Sequence, residues 1–319
     1  MAKVSVIIPV YNAKQYIERC VNSLLAQTLD DVEFIFIDDH STDGSLDLLH
    51  KLTSNSPRSC KVLTNGNNLG SALTRKRGYL EATGEYFIVC DSDDWVDTNE
   101  LEEMYNAAIS HNADIVYCNF YENNDKKDRI VTQDCGTDRI RCIGQMLTGK
   151  MHASTSSKLT RRNLLFKSGF FDLDIKDIRE DLVTSILVFS FTKKIYFLNE
   201  SYYHYRCNWS SATRLSDFTN LSKIITDCTH NIILIERILK NVHLFKSLEK
   251  ELLIQKYSIK NKIYDLMVYS ENKFCETFPE ANNIAYALPY IQHKTKLKQW
   301  FILKRHRLRN NILHLKKII

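Results

Sequence analysis

Short, unbroken apolar runs alternate with stretches in which apolar residues recur at helical spacing, and this alternation organises the amino-terminal part of the chain. Val4–Val10, Val32–Ile37 and Tyr86–Cys90 are mostly aliphatic, aromatic or β-branched, as strands covered on both faces of a sheet must be. Lys61–Thr64 is a shorter strand between the last two. Tyr16, Ile17, Cys20, Val21, Leu24 and Leu25 fall on one face of a helix after the first run, with Asn12 as its expected cap. A second helix begins at Leu46, and a third spans Ala72–Ala82. Successive strand–helix units predict parallel strands with right-handed crossovers. The expected architecture is a doubly wound, mostly parallel α/β sheet flanked by helices, with its ligand edge at the strands' carboxyl ends.

Carboxylates gather at those ends. Asp38-Asp39-His40-Ser41-Thr42-Asp43-Gly44 follows the second strand, and Asp91-Ser92-Asp93-Asp94 follows the fourth. Like charges packed that closely repel unless a cation sits among them, and hard oxygen donors beside a phosphate suit Mg²⁺ or Mn²⁺. The competing explanation is that Ser92 or Asp93 merely caps the helix near Glu100. The first turn, Pro-Val-Tyr-Asn, lacks the glycines of a dinucleotide fingerprint, and no Walker A loop occurs. Phosphate would then be held by metal and side chains. Arg75, with Lys76 and Arg77 beside it, offers a guanidinium fork for phosphate oxygens, or else belongs to a solvated helix face.

Past Asp94 the pattern predicts a helix over Glu100–Ser110, a strand over Asp114–Tyr121, an exposed loop over Glu122–Asp128 and a helix over Thr137–Leu147. Lys158–Asn163 opens a short helix ending near Gly169. Glu180 and Asp181 then lead a strongly apolar helix, Leu182–Phe191. Two acids there can simply complement the helix dipole, yet a carboxylate fixed on so rigid an element is also well placed as a general base. Ile195–Phe197 and Tyr202–Tyr205 read as two strands, and from Asn220 onward the pattern is helical, a separate appendage.

Together, Val6–Asn12, Ile37–Gly44, Asn68–Arg75, Asp91–Asp94 and Glu180-Asp181, in this order and at these separations, resemble the inverting family 2 glycosyltransferases with a GT-A fold. The resemblance covers residues 3–211. It implies a GT-A domain over 1–215, with 1–97 as nucleotide-binding half and 98–215 as acceptor half, followed by a helical, basic region over 216–319. Pro9 and Tyr11 would line the nucleoside pocket, and Asp39 would accept a hydrogen bond from a uracil ring nitrogen. Arg75 and Asp91 would lie by the nucleotide, Asp93 would ligate Mg²⁺ or Mn²⁺, and Asp181 would be the catalytic base with Glu180 touching the acceptor. His204 falls where relatives place a group that closes over the diphosphate. The implied reaction moves a sugar from a UDP-sugar to a hydroxyl of a glycan or lipid-linked acceptor in surface polysaccharide synthesis. The alternatives are a non-catalytic sugar-nucleotide or glycan-binding module and a sugar nucleotidyltransferase. Lys76, Ser157 and Arg179 depart from the family's usual residues, and they bear on sugar and acceptor identity more than on reaction class.

Composition adds two points. Nine cysteines form no C-x-x-C pair, which suits reduced thiols, and the chain shows neither a signal-peptide core nor a membrane-length apolar run. The expected location is therefore cytoplasmic. The net charge of +5 is uneven, because residues 281–319 hold nine Lys or Arg and no acid, leaving the remainder net negative. Over 294–319 Leu297, Phe301, Leu308, Ile312, Leu315 and Ile319 fall at helical spacing among those cations. A basic amphipathic helix of this kind suits an anionic membrane surface, here the inner face of the cytoplasmic membrane, or packs on the body. No nucleic-acid motif accompanies the charge, and nucleic acid is not an expected partner.

Overall fold

The computed structural model describes residues 2–124, 128–207, 221–266 and 277–282. Its first half follows the predicted alternation: β1 (Val4–Val10), α1 (Ile17–Leu25), β2 (Val32–Asp38), α2 (Ser45–Thr53), β3 (Ser59–Thr64), α3 (Ser71–Glu81) and β4 (Tyr86–Val89). β1 pairs in parallel with both β2 and β4, and β2 with β3. The second half adds β5 (Trp95–Val96), α4 (Glu100–Ser110), β6 (Ile115–Asn123), β7 (Arg129–Val131), α5 (Arg139–Thr148), β8 (Lys158–Arg161), α6 (Asn163–Lys167), α7 (Glu180–Phe191) and β9 (Ile195–Arg206). The sheet runs β3-β2-β1-β4-β8-β6-β9-β5, with β7 attached to β6. Here the pairing turns mixed: β8 is antiparallel to β4 and β6, while β9 is parallel to β6.

Strand alternation sorts the core into two layers, as a doubly wound sheet requires. Val6, Ile8, Phe34 and Phe36 pack under Ile17, Val21 and Leu101 on one face. Ile7, Ile35, Ile37 and Val89 face Tyr79, Val183 and Leu187 on the other. The carboxy-terminal helices α8 (Leu221–Asn241) and α9 (Phe245–Leu266) extend this second layer, since Ile235, Leu239 and Leu252 share it with α5 and α7. α8 also fixes the approach to α7. Asn231 exchanges hydrogen bonds with the backbone of Lys176 (3.0 and 2.8 Å) and takes the Ile178 carbonyl at 2.8 Å. The basic segment 294–319 lies outside the described residues.

Three local expectations change. Lys158–Arg161 is a strand, not the start of a helix; Leu159 is its one apolar residue, so the hydrogen bonds of β4 and β6 on either side decide its form. Ile195–Phe197 and Tyr202–Tyr205 join as the single strand β9, with irregular register between Cys118 and Phe120 of its partner. Asn12 does not cap α1. It sits in the left-handed region at φ 47°, accepts the Thr42 N–H at 2.9 Å and donates its own N–H to Ser41 Oγ at 3.0 Å. With Lys14 N–H on Asp43 at 2.9 Å, the loops after β1 and β2 are laced together.

Glu100 opens α4 only 2% exposed, and one of its carboxyl oxygens meets no partner. Burial, with Asp97 adding to it, pushes this carboxyl up to about 8 from 4.5. The folded state therefore holds a proton that the unfolded chain releases near pH 4.5, so this group lowers stability progressively from there to about pH 8 and no further above. Glu100→Gln should match the wild type at pH 4 and exceed it by about 4 kcal/mol at pH 8. Urea unfolding of both proteins across that range measures it, and parallel curves would remove Glu100 as the source.

Candidate active site

Arg75 is the residue on which the site is assembled. It lies on α3, one turn past Gly70, whose φ of 86° and close approach leave no room for a side chain: a Cβ there would stand 2.4 Å from the Asp177 carboxylate. Asp177 in turn accepts the Ala72 N–H at 3.1 Å and pairs with Lys223 of α8 at 2.6 Å, anchoring the start of α3. From that fixed base the Arg75 guanidinium bonds Asp91 at 2.5 Å, pairs closely with Glu180 and lies 3.8 Å from Asp181. Burial works against its charge, but Asp91 and Asp181 outweigh burial and hold it above its ordinary value. One side chain thus spans the strand end of β4 and the first turn of α7.

The two acids of α7 part company. Glu180, expected to touch the acceptor, is 7% exposed and turned under Arg75. Asp181 is 32% exposed, and Thr155 Oγ1 donates to its Oδ1 at 3.2 Å. Arg179, before them, adopts φ 68°. The left-handed turn it makes starts α7 abruptly, and successive helix positions point the two acids in different directions.

At β4 the three aspartates also separate. Asp94 is buried, accepts from the Tyr203 hydroxyl and from the Arg206 N–H at 2.7 Å, and so ties the turn to β9. Burial first, then the charges of Asp91 and Asp93, push Asp94 well above the ordinary carboxylate range. That like-charge pressure marks a place where added positive charge is favoured. Asp91 and Asp93 are half-buried hard oxygen donors, and with a diphosphate they fit Mg²⁺ or Mn²⁺. Among the described residues no group of three His, Cys, Asp or Glu converges as a cage, so phosphate and water would have to complete the coordination sphere.

Of the other expected residues, Pro9 is half-buried at the end of β1 and Tyr11 follows it, 52% exposed, at the open carboxyl edge. Asp39 is buried and busy: its oxygens accept from Asn65 Nδ2 (2.8 Å), the Leu69 N–H (2.8 Å) and the Gly70 N–H (2.9 Å). It therefore shapes the loop that leads into α3. His204 is stacked between Trp95 and Tyr121, with its ring nitrogens 3.0 Å from Asp97 and 3.2 Å from Asn123. Strand alternation places it on the face of β9 opposite Tyr203, whose hydroxyl binds Asp94. Sequence reading had not singled out Tyr203, Thr155 or Lys158. An aromatic strand and a Ser/Thr-rich loop carry no motif; Tyr203 is revealed by its bond to Asp94, Thr155 by its bond to Asp181, and Lys158 by its bonds to the His152 and Ser154 carbonyls.

Residues 5–169 match the family described as Glycosyl transferase family 2. The chain belongs to that family. The chain is 26% identical over 222 residues to "Glycosyltransferase GlyA" of Streptococcus pneumoniae, covering 67% of the chain and 32% of that protein. It is 30% identical over 220 residues to "Uncharacterized glycosyltransferase EpsJ" of Bacillus subtilis, covering 66% and 63%. It therefore spans about a third of the first and somewhat less than two thirds of the second. Over 92% of its length it is 28% identical to a "Cholesterol galactosyltransferase" of Borreliella burgdorferi, of which it covers 81%. The fold is that of GT-A enzymes: Staphylococcus aureus TarS 1–349, crystallised with UDP-GlcNAc, superposes with a TM-score of 0.61 at 18% identity, covering 89% of each chain. A Pyrobaculum calidifontis mannosyltransferase in complex with GDP-Man and Mn²⁺ gives 0.54 at 15%, covering 94% and 79%. Among the described residues no helix is long and apolar enough to cross a membrane.

Proposed function

We propose that this glycosyltransferase moves a sugar from a UDP-sugar to a hydroxyl of a glycan or lipid-linked acceptor with inversion, Asp181 acting as general base, in the assembly of a bacterial surface polysaccharide. The observation that carries the reading is the Arg75 bridge. It ties both acids of α7, the buried Glu180 and the more exposed Asp181, to Asp91 at the end of β4, so that the proposed base and diphosphate site share one frame. The bacterial glycosyltransferases among its relatives and the UDP-GlcNAc complex of TarS support the donor and the setting.

The chemistry follows from charge. As the anomeric bond breaks, negative charge grows on the departing diphosphate. Asp93 would hold a divalent cation beside the diphosphate, and that cation would supply the offsetting charge. Pro9 and Tyr11 would flank the nucleoside at the open edge. Asp181 would take the acceptor hydroxyl's proton while that oxygen attacks the face opposite the leaving group, inverting the centre in one displacement. The basic segment 294–319 would meet an anionic membrane surface, where a lipid-linked acceptor resides.

Calorimetric titration with UDP and several UDP-sugars, first with Mn²⁺ and then with EDTA, tests the donor. Metal-dependent UDP binding with one preferred sugar is expected, and absence of uridine nucleotide binding in both conditions would overturn it. Asp93→Ala should lower the Mn²⁺-dependent affinity about tenfold or more while leaving the EDTA value unchanged. Equal affinities for the variant and wild type in Mn²⁺ would take Asp93 off the ligand set.

A further inference from the structure

The loop between α5 and β8 is built more firmly than a connection requires. Lys158, 2% exposed, sends its ammonium inward to the carbonyls of His152 (2.8 Å) and Ser154. Gln133, also 2% exposed, accepts the His152 N–H at 3.1 Å and donates to Ser157 Oγ at 3.0 Å and the Cys118 carbonyl at 2.7 Å. Ser185 of α7 donates to the Ala153 carbonyl at 2.7 Å. Taking an ammonium out of water costs several kcal/mol unless carbonyls replace its hydration, so these bonds lock the loop. His152 is thereby fixed through both its N–H and its carbonyl, yet its side chain is exposed.

The imidazole completes a corner. Its centroid lies 5.4 Å from Phe120 and 6.4 Å from Tyr205, and the latter two rings are 6.5 Å apart and nearly perpendicular. Nδ1 accepts from the Ser154 N–H at 3.3 Å, which leaves the ring proton on Nε2. Thr155, three residues past His152, donates to Asp181 at 3.2 Å, and Tyr205 lies between Tyr203 and Arg206, whose hydroxyl and backbone N–H bind Asp94. The corner therefore lies between the diphosphate end and the base.

Resting on the transferase reading above, we propose that His152 and Tyr205, backed by Phe120, form the acceptor subsite and that it takes an uncharged pyranose. A sugar ring presents an apolar C–H face for aromatic stacking and hydroxyls for the Nε2–H and phenol, which this corner matches. Lys158 is the strongest charge acting on His152, but its ammonium is spent on the two loop carbonyls, and the other charges His152 feels, Asp181, Glu122 and Asp91, are all carboxylates. A phosphate or acidic sugar would be repelled. A bare alkyl alcohol would leave the imidazole and phenol without partners.

Saturation-transfer NMR on the full chain with UDP and Mn²⁺ tests this, using octyl β-glucopyranoside and octyl β-galactopyranoside as probes and octyl phosphate and octanol as controls. Ring-proton saturation of at least one glycoside is expected, with octyl phosphate and octanol giving less. His152→Ala and Tyr205→Ala should each weaken that glycoside about tenfold, with calorimetric UDP affinity unchanged. His152→Phe, which keeps the stacking face, should lose less than His152→Ala. Glycoside binding equal in variants and wild type, preference for octyl phosphate, or no glycoside binding by a UDP-loaded wild type would each overturn the subsite. Failure of UDP itself to bind would instead overturn the transferase reading.

Discussion

Asp181→Asn is expected to lower sugar transfer by about 10²-fold to 10⁴-fold, the range a positioned general base supplies, while UDP affinity stays near that of the wild type. The contrast rests on what each neighbour of Asp181 would lose. The amide oxygen of Asn can still accept from Thr155 Oγ1, now 3.2 Å from Oδ1, so the first turn of α7 keeps its geometry. Arg75 stands 3.8 Å from Asp181 but bonds Asp91 at 2.5 Å and pairs with Glu180, so its position does not depend on the lost charge. What disappears is the acceptor of the hydroxyl proton. Turnover measured as UDP release with a competent acceptor, beside calorimetry of UDP, separates the two effects. Retention of more than about 1% of turnover would contradict the assignment.

Arg75→Met should be the most damaging single change to the fold and site together. Removing one partner of a buried ion pair strands the other, at a cost of about 3–5 kcal/mol, and Glu180 has little solvent to turn to. A melting temperature lower by roughly 5–7 °C is expected for a chain of this size, with UDP affinity falling because Asp91 loses its restraint. Glu180→Gln on top of Arg75→Met should restore part of the stability, since the amide carries no stranded charge. It should restore none of the activity. Additive destabilisation in that double variant would mean that the two residues do not act as a pair.

The family motifs could be read directly because each has a short-range physical cause. Carboxylates at strand ends, a glycine before a helix and acids in a first turn are all consequences of a few adjacent residues. The motifs do not say which member of each cluster faces the cleft. Asp91, Asp93 and Asp94 look equivalent in the chain, yet Asp94 is taken up by Tyr203 and the Arg206 backbone. Glu180 and Asp181 also look alike, but Glu180 is held close under Arg75 and only 7% exposed, whereas Asp181 is 32% exposed. His204 was singled out because its position matched a family pattern. Only the fold shows its stack between Trp95 and Tyr121.

By itself the sequence determined the strand–helix alternation of the first half, the parallel order it implies and the family to which the motifs belong. Hydrophobic periodicity is a local property, and burial on two faces enforces it residue by residue. Tertiary structure alone decided the mixed pairing of β8, the Arg75 bridge between halves of the chain, and the Lys158–Gln133 hold on the His152 loop. The first two join residues far apart in sequence, and the third ties a loop to Gln133, nineteen residues before His152, through hydrogen bonds or charge. Such contacts leave no periodic trace, because their energy depends on desolvation and on a partner that only the folded chain brings within reach.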